Sequence, residues 1–174
     1  MASTNQTAIK MYVLLRILLA LHITGIVIMA GTTMIDYLTF KTFWKIADTG
    51  DNRALGLIPL MARYGAFVRT GAITIILTGI ALLALDKGAI WSQPWFKVKT
   101  ALVIILILNG LFVGNRQGHQ LRDTVLANAS DFLHQTLAIR ATMSRFYPIQ
   151  LTLFFLIIVI SMIRFDTFPI RPTP

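Results

Sequence analysis

The sequence contains no cysteine and few charged residues, and both absences limit its chemistry. Without cysteine, disulfides, thiol nucleophiles and thiolate metal sites are all excluded. Only 13% of the 174 residues are charged, and 7 acidic residues stand against 16 lysines and arginines. The HExxH, P-loop and GxSxG motifs are also missing. No pair of carboxylates lies in an apolar setting, so the sequence offers no familiar hydrolytic or nucleotide-binding site.

Apolar residues, by contrast, are abundant. They make up 56% of the chain, and the mean hydropathy is +0.71. A soluble domain of this size leaves roughly a third of its unfolded surface exposed, which is too much for so apolar a composition. The sequence therefore predicts a protein whose partner is the lipid bilayer. The net charge of +9 is best explained by basic loops beside anionic lipid, and no nucleic-acid partner is predicted.

Four apolar segments are long enough, with their flanks, to cross about 30 Å of hydrocarbon. The predicted spans are approximately 11–34, 66–86, 95–115 and 146–165, and the first is expected to be retained rather than cleaved as a signal peptide. Helical patterns continue beyond them over 35–62 and 116–145, with a turn near Asn128–Ser130. The prediction is an all-α, four-helix integral membrane bundle, a single membrane domain over 1–174, built from two long helical hairpins that extend beyond the bilayer on one side.

Basic residues predict the orientation of this bundle. The side of the two extensions carries more lysine and arginine than the opposite side, and positive residues stay cytoplasmic. The interpretation is a multi-pass protein of the cell inner (plasma) membrane, with external termini and cytoplasmic hairpin tips. Trp91 and Trp95 suit the interfacial belt on the external side.

His22 interrupts the otherwise apolar stretch "RILLALHITGIVIMAG" and calls for an explanation. It shares one helix face with Gly25, Met29, Thr32 and Asp36, and this face is expected to contact other helices because polar groups facing hydrocarbon are costly. Two interpretations stay open. His22 either bonds to a neighbouring helix and holds the bundle together, or serves as a haem or metal ligand or a proton carrier. On the same face, Asp36 is placed to form an ion pair with Arg63 or Arg69.

The third span adds a glycine repeat and a lysine. Gly110 and Gly114 form a GxxxG pattern and are predicted, with Gly25, to let helices pack closely. Asn109 is expected to bond between helices. Lys99 and Arg16 lie on the same side of the bilayer as His22. Two cations near an imidazole suit a ligand with an apolar body and carboxylates at one end, as in a porphyrin or, less well, a quinone. Alternatively, Lys99 reaches to the headgroups.

Three stretches resemble one family of membrane proteins. "ALHITGIVIMAG", "PWFKVKTALVIILIL" and "RFYPIQLTLFFLIIVISMIRF" are similar to helices of the HemJ-type bacterial protoporphyrinogen oxidases and the copper-resistance D-like superfamily of small polytopic membrane proteins. The resemblance implies that His22 ligates the iron of haem b and that Lys99 is functionally important. Lys97 and Gly110 stand where the family has further histidines, and Phe146–Tyr147 replaces an Asn-Glu pair, so a second haem-ligating histidine is not evident.

Two functions are therefore carried forward from the sequence. The favoured one is a non-catalytic membrane subunit or scaffold that binds a membrane protein partner or a second copy of itself. The alternative is a haem- or tetrapyrrole-binding membrane oxidoreductase that uses His22, Lys99 and Arg16. The sequence does not decide whether the protein is an enzyme.

Overall fold

The computed structural model describes residues 2–87, 89–127 and 135–163, and these residues are almost entirely helical. The helices are α1 (Ala2–Ala47), α2 (Ile58–Leu85), α3 (Pro94–Asn109), α4 (Arg116–Leu126) and α5 (Leu137–Ile163). A π-helix, Gly110–Asn115, joins α3 to α4 without a break, and short 3₁₀ helices, Asn52–Leu57 and Ala89–Ser92, connect the others. The predicted turn near 128–130 and the chain after 163 lie outside the described residues.

Four helical stretches in this part of the chain are long and apolar enough to cross a membrane. They are Ile9–Ala47, Asn52–Leu85, Pro94–Val125 and Leu137–Ile163. The protein is thus a multi-pass membrane protein with an all-α four-helix bundle, which confirms the predicted fold class. The first helix packs along the second, and the third packs along α5, which also contacts α1. The bundle therefore consists of two helical hairpins, as expected.

Charge-free windows indicate where the bilayer lies. Each of the four stretches contains one run without Asp, Glu, Lys or Arg: 17–35, 70–85, 100–115 and 146–163, of 19, 16, 16 and 18 residues. At 1.5 Å per residue these runs are about 24–29 Å long, close to the thickness of the hydrocarbon. We call these four windows the spanning half. On the side of the connections from α1 to α2 and from α4 to α5, the chain continues beyond these windows. We call the described residues on this side the head; they are 36–69, 116–127 and 135–145.

The head has a dense aromatic and aliphatic core. Phe43 and Tyr147 are almost completely buried, and Tyr147, at the border with the spanning half, packs against the rings of Tyr37 and Phe40. The buried members of the core come from every part of the head and from the first two residues of the window 146–163. They are Phe40, Phe43, Trp44, Ala47, Ala54, Ile58, Leu121, Val125, Ile139, Met143, Phe146 and Tyr147. The predicted extensions therefore fold together into one packed unit.

Two prolines occupy different positions in their helices. Pro59 stands in the first turn of α2, where its missing N–H costs nothing, whereas Pro148 lies inside α5.

The turn before α2 is capped by Asp51, whose carboxylate accepts hydrogen bonds from the backbone N–H and the guanidinium of Arg53. These bonds hold the pKa of Asp51 below its usual range.

Candidate functional site

His22 faces α2 and bonds to a threonine there. The distance between His22 Nδ1 and Thr78 Oγ1 is 2.8 Å, and the same hydroxyl lies 2.6 Å from the carbonyl oxygen of Thr74. A carbonyl only accepts hydrogen bonds, so the single hydroxyl proton of Thr78 is directed to Thr74. Thr78 must then accept the proton of His22 Nδ1. In the neutral imidazole, this arrangement leaves Nε2 unprotonated. A backbone hydrogen bond with Ile75 also holds the ring.

Glycines bring the two helices close enough for this bond. Gly79 lies beside the ring, where an added Cβ would make an ordinary van der Waals contact of 3.5 Å with His22 Cε1. Further down, α1 and α2 cross at Gly25 and Gly71. A Cβ on Gly71 would come within 2.9 Å of the carbonyl oxygen of Gly25, which real side chains do not tolerate. The predicted packing residue Gly25 thus lies at a backbone-to-backbone contact.

The structure brings only one of the two predicted cations near His22. Lys99, on α3, is close enough for its charge to act on the imidazole. Arg16, one and a half turns before His22 on α1, interacts instead with its own helix. Its Nε donates to the hydroxyl of Tyr12 at 3.0 Å, and its guanidinium lies 5.0 Å from the centre of that ring.

In the described part of the chain, no group of three or more His, Asp or Glu side chains is close enough together to hold a metal ion. His119 lies on α4, in the head, and His134 is outside the described residues. The site is therefore one oriented imidazole with an unprotonated Nε2, a threonine that fixes its tautomer, and a nearby ammonium group.

A second polar cluster joins α3 to α5 where α3 becomes a π-helix. Asn109 Nδ2 donates to Gln150 Oε1 at 2.7 Å, which is the interhelical bond expected of Asn109. Gln150, only 3% exposed, donates from Nε2 to the carbonyl of Leu106 at 3.3 Å. Gly110 lies under this amide and Gly114 under the ring of Phe146. The sequence argument missed Gln150, although a glutamine inside the apolar run "PIQLTLFF" was a usable signal.

Asp36 has a different partner from the one predicted. Its Oδ2 accepts a hydrogen bond from the hydroxyl of Tyr147 at 2.9 Å. No ion pair links Asp36 to Arg63 or Arg69 in the described residues, so that expectation was wrong. The aromatic core packs the ring of Tyr147 against Tyr37 and Phe40 of α1. This packing brings the hydroxyl of Tyr147 within hydrogen-bond distance of the Asp36 carboxylate. Asp36 therefore ties α1 to α5 at the border of the head.

Comparisons with known proteins leave the chain without an assigned relative. No protein-family model, no curated protein and no solved structure matches it. We therefore infer the function from the bundle and from its three polar clusters, which are centred on His22, Gln150 and Asp36.

Proposed function

We propose that the protein is a non-catalytic subunit or scaffold of the inner (plasma) membrane, whose head presents a fixed surface to a protein partner. The observation that carries this proposal is the dense core of the head. A membrane anchor needs no such core outside the bilayer, whereas a docking surface needs side chains held in constant positions.

Contacts at the tip support a rigid head. Arg140, near the start of α5, makes two hydrogen bonds of 2.9 Å with the carboxylate of Asp48, just after the end of α1. Its guanidinium also lies 4.8 Å from the centre of the Trp44 ring. A bidentate bond combined with stacking holds two distant parts of the chain together with a defined geometry. The partner is a second membrane protein or another copy of the chain.

Photo-crosslinking in native membranes tests this proposal. A photoreactive amino acid at Arg63, which is exposed on the head, should give discrete protein adducts of one or two masses. The same amino acid at Val27, a lipid-facing position that is 64% exposed, is the control and should react mainly with lipid. An absence of protein adducts from Arg63 and from a second head position, Thr49, would contradict the proposal.

The proposed orientation places the head in the cytoplasm and the termini outside. Its support is the excess of basic residues in the head over the opposite end. The cysteine-free chain allows a direct test with single-cysteine variants. On intact cells, an impermeant maleimide should label Ser92→Cys, between α2 and α3, but should label Thr49→Cys only after permeabilisation. The reverse pattern would invert the assignment.

A second candidate function is haem or tetrapyrrole binding, in line with the resemblance to HemJ-type proteins. One observation favours it: the bond from Nδ1 to Thr78 orients His22 and leaves Nε2 unprotonated, as in proteins where a histidine ligates a metal. His22 would hold the haem iron and Lys99 would pair with a propionate. A bound haem would supply redox chemistry at its iron.

An absorbance spectrum of the detergent-purified protein distinguishes the two functions. Haem binding predicts a Soret band that shifts on reduction, is lost in His22→Ala and is weakened in Thr78→Val and Lys99→Ala. Thr74→Val, one turn from Thr78, is the matched control and should keep the band, since Thr78 uses only the backbone carbonyl of Thr74. If the purified protein carries no pigment after expression with haem supplied, this second candidate is ruled out.

A further inference from the structure

Arg145 is exposed and has no acidic partner among the described residues. Arg53 is paired with Asp51, and Arg140 with Asp48. Arg145 immediately precedes the charge-free window 146–163, so its guanidinium belongs to the level where hydrocarbon meets the headgroups. An unpaired cation at this depth can reach anionic groups of the bilayer itself.

Beside Arg145 a cleft opens between two walls. One wall is the end of α3 with the π-helix that follows it, and the other is α5. Its lining residues are Asn109, Val113, Ala141, Thr142, Arg145, Phe146 and Ile149. From Thr142 to Ile149 the helix rises by about 10 Å. Arg145 and Thr142 line the head side, and Val113 and Ile149 line the spanning side, where Asn109 is a polar lining residue that bonds to Gln150. A charged end above a mainly apolar end matches a phospholipid, whose headgroup lies above its acyl chains.

The walls of the cleft are fixed by contacts on its inner side. The ring of Phe146 lies over Gly114, and a Cβ there would come within 2.6 Å of Phe146 Cζ. One turn further along, Asn109 is held by its bond to the buried Gln150. The cleft therefore has a defined shape between two packed helices and does not depend on a loop.

We propose that this cleft is a binding site for one anionic phospholipid. The lipid phosphate accepts hydrogen bonds from the guanidinium of Arg145, and one acyl chain lies along Val113 and Ile149. Charge complementarity selects an anionic lipid, because Arg145 has no acidic partner among the described residues and no acidic side chain lines the cleft. The proposal is independent of the scaffold function and of haem binding.

Native mass spectrometry of the full-length, delipidated protein tests the site. The protein is titrated with phosphatidylglycerol and, separately, with phosphatidylcholine. We expect a first copy of phosphatidylglycerol to bind about fivefold more tightly, the effect of one arginine near an anionic headgroup. Arg145→Gln should remove this preference and Arg145→Lys should keep most of it. Arg53→Gln, an equal loss of charge at the tip of the head, is the matched control and should keep the preference.

Two further measurements test whether Arg145→Gln still folds normally and whether the site requires the acyl chains of the lipid. Thermal unfolding of Arg145→Gln should match that of the unmodified protein, because Arg145 is exposed and unpaired. Inorganic phosphate and glycerophosphoglycerol, which lack acyl chains, should not displace the bound lipid at concentrations near its own dissociation constant. Equal binding of both lipids, an equal effect of Arg145→Gln and Arg53→Gln, or displacement by inorganic phosphate would each overturn the proposal.

Discussion

The head and the spanning half of this protein are built from similar residues but packed in different ways. In the head, Phe43 is 0% exposed, while in the spanning half Phe112 and Phe155 are 69% and 65% exposed. The hydrophobic effect drives burial only where water is the alternative. Lipid tails are as apolar as phenylalanine, so the spanning half gains little by burying its rings. The same side chain is therefore a core residue in one region and a lipid contact in the other.

The spanning half has a smaller buried apolar cluster, made of Met29, Leu106, Leu153, Phe154 and Ile157. To this cluster it adds close backbone contacts and a few polar bonds. Gly25 and Gly71 bring α1 against α2, and the bond between His22 and Thr78 follows from that approach. Gln150 and Asn109 join α3 to α5 in the same way. Substitutions should therefore have different effects in the two regions, and the following predictions are ordered from the largest expected change to the smallest.

Truncating a core ring of the head should have the largest effect. Phe43→Ala should lower the free energy of unfolding by about 3–5 kcal/mol, because it removes a fully buried ring and leaves a cavity. Phe112→Ala, at a lipid-facing position, is the control and should have little effect. Denaturant titration in detergent micelles, followed by circular dichroism, measures both. Equal losses would show that the two regions do not differ in packing.

Adding one methyl group where α1 and α2 cross should cause a smaller loss of stability than truncating a core ring of the head. Gly71→Ala should destabilise the protein by about 1–3 kcal/mol, since its Cβ would meet the backbone of Gly25 and the side chain of Met29. Gly31→Ala on α1 is the matched control, because nothing lies within 4 Å of the added Cβ. The same unfolding measurement applies. A crossing that tolerates Gly71→Ala as well as Gly31→Ala would not be a close contact.

Removing the hydroxyl of Tyr147 at the border should have an effect of similar size. Tyr147→Phe keeps the buried ring but deletes the hydrogen bond to Asp36, and hydrogen bonds to charged groups contribute about 1.5–3 kcal/mol. The double variant Tyr147→Phe with Asp36→Asn measures the coupling between the two residues. We expect the double variant to lose less than the sum of the single ones. Strict additivity would contradict a direct bond.

Breaking the polar bond inside the membrane should have the smallest effect. Gln150→Leu removes the bonds to Asn109 and to the carbonyl of Leu106, at about 0.6–1.7 kcal/mol, the range measured for interhelical hydrogen bonds in membranes. Asn109→Leu in the same background should then add little. A loss as large as that of Phe43→Ala would mean that polar bonds, rather than the head, dominate the stability of the protein.

The sequence predicted those features that depend on local composition. Long apolar runs can only be accommodated as helices in lipid, because every backbone polar group must be satisfied within the segment. This requirement made the four-helix bundle and its two hairpins predictable. Asn109 was likewise recognisable as an interhelical donor, because an amide in an apolar helix must find a partner.

Only the tertiary structure decided which residues meet. The sequence placed His22 and Asp36 on one face of α1 but did not reveal that Thr78 fixes the tautomer of the first or that Tyr147 reaches the second. Those pairings depend on the glycine crossing of α1 with α2 and on how the aromatic core sets α5 against α1. Partners 56 and 111 positions apart in the chain are chosen by helix register, and the pattern along a single helix does not contain that register.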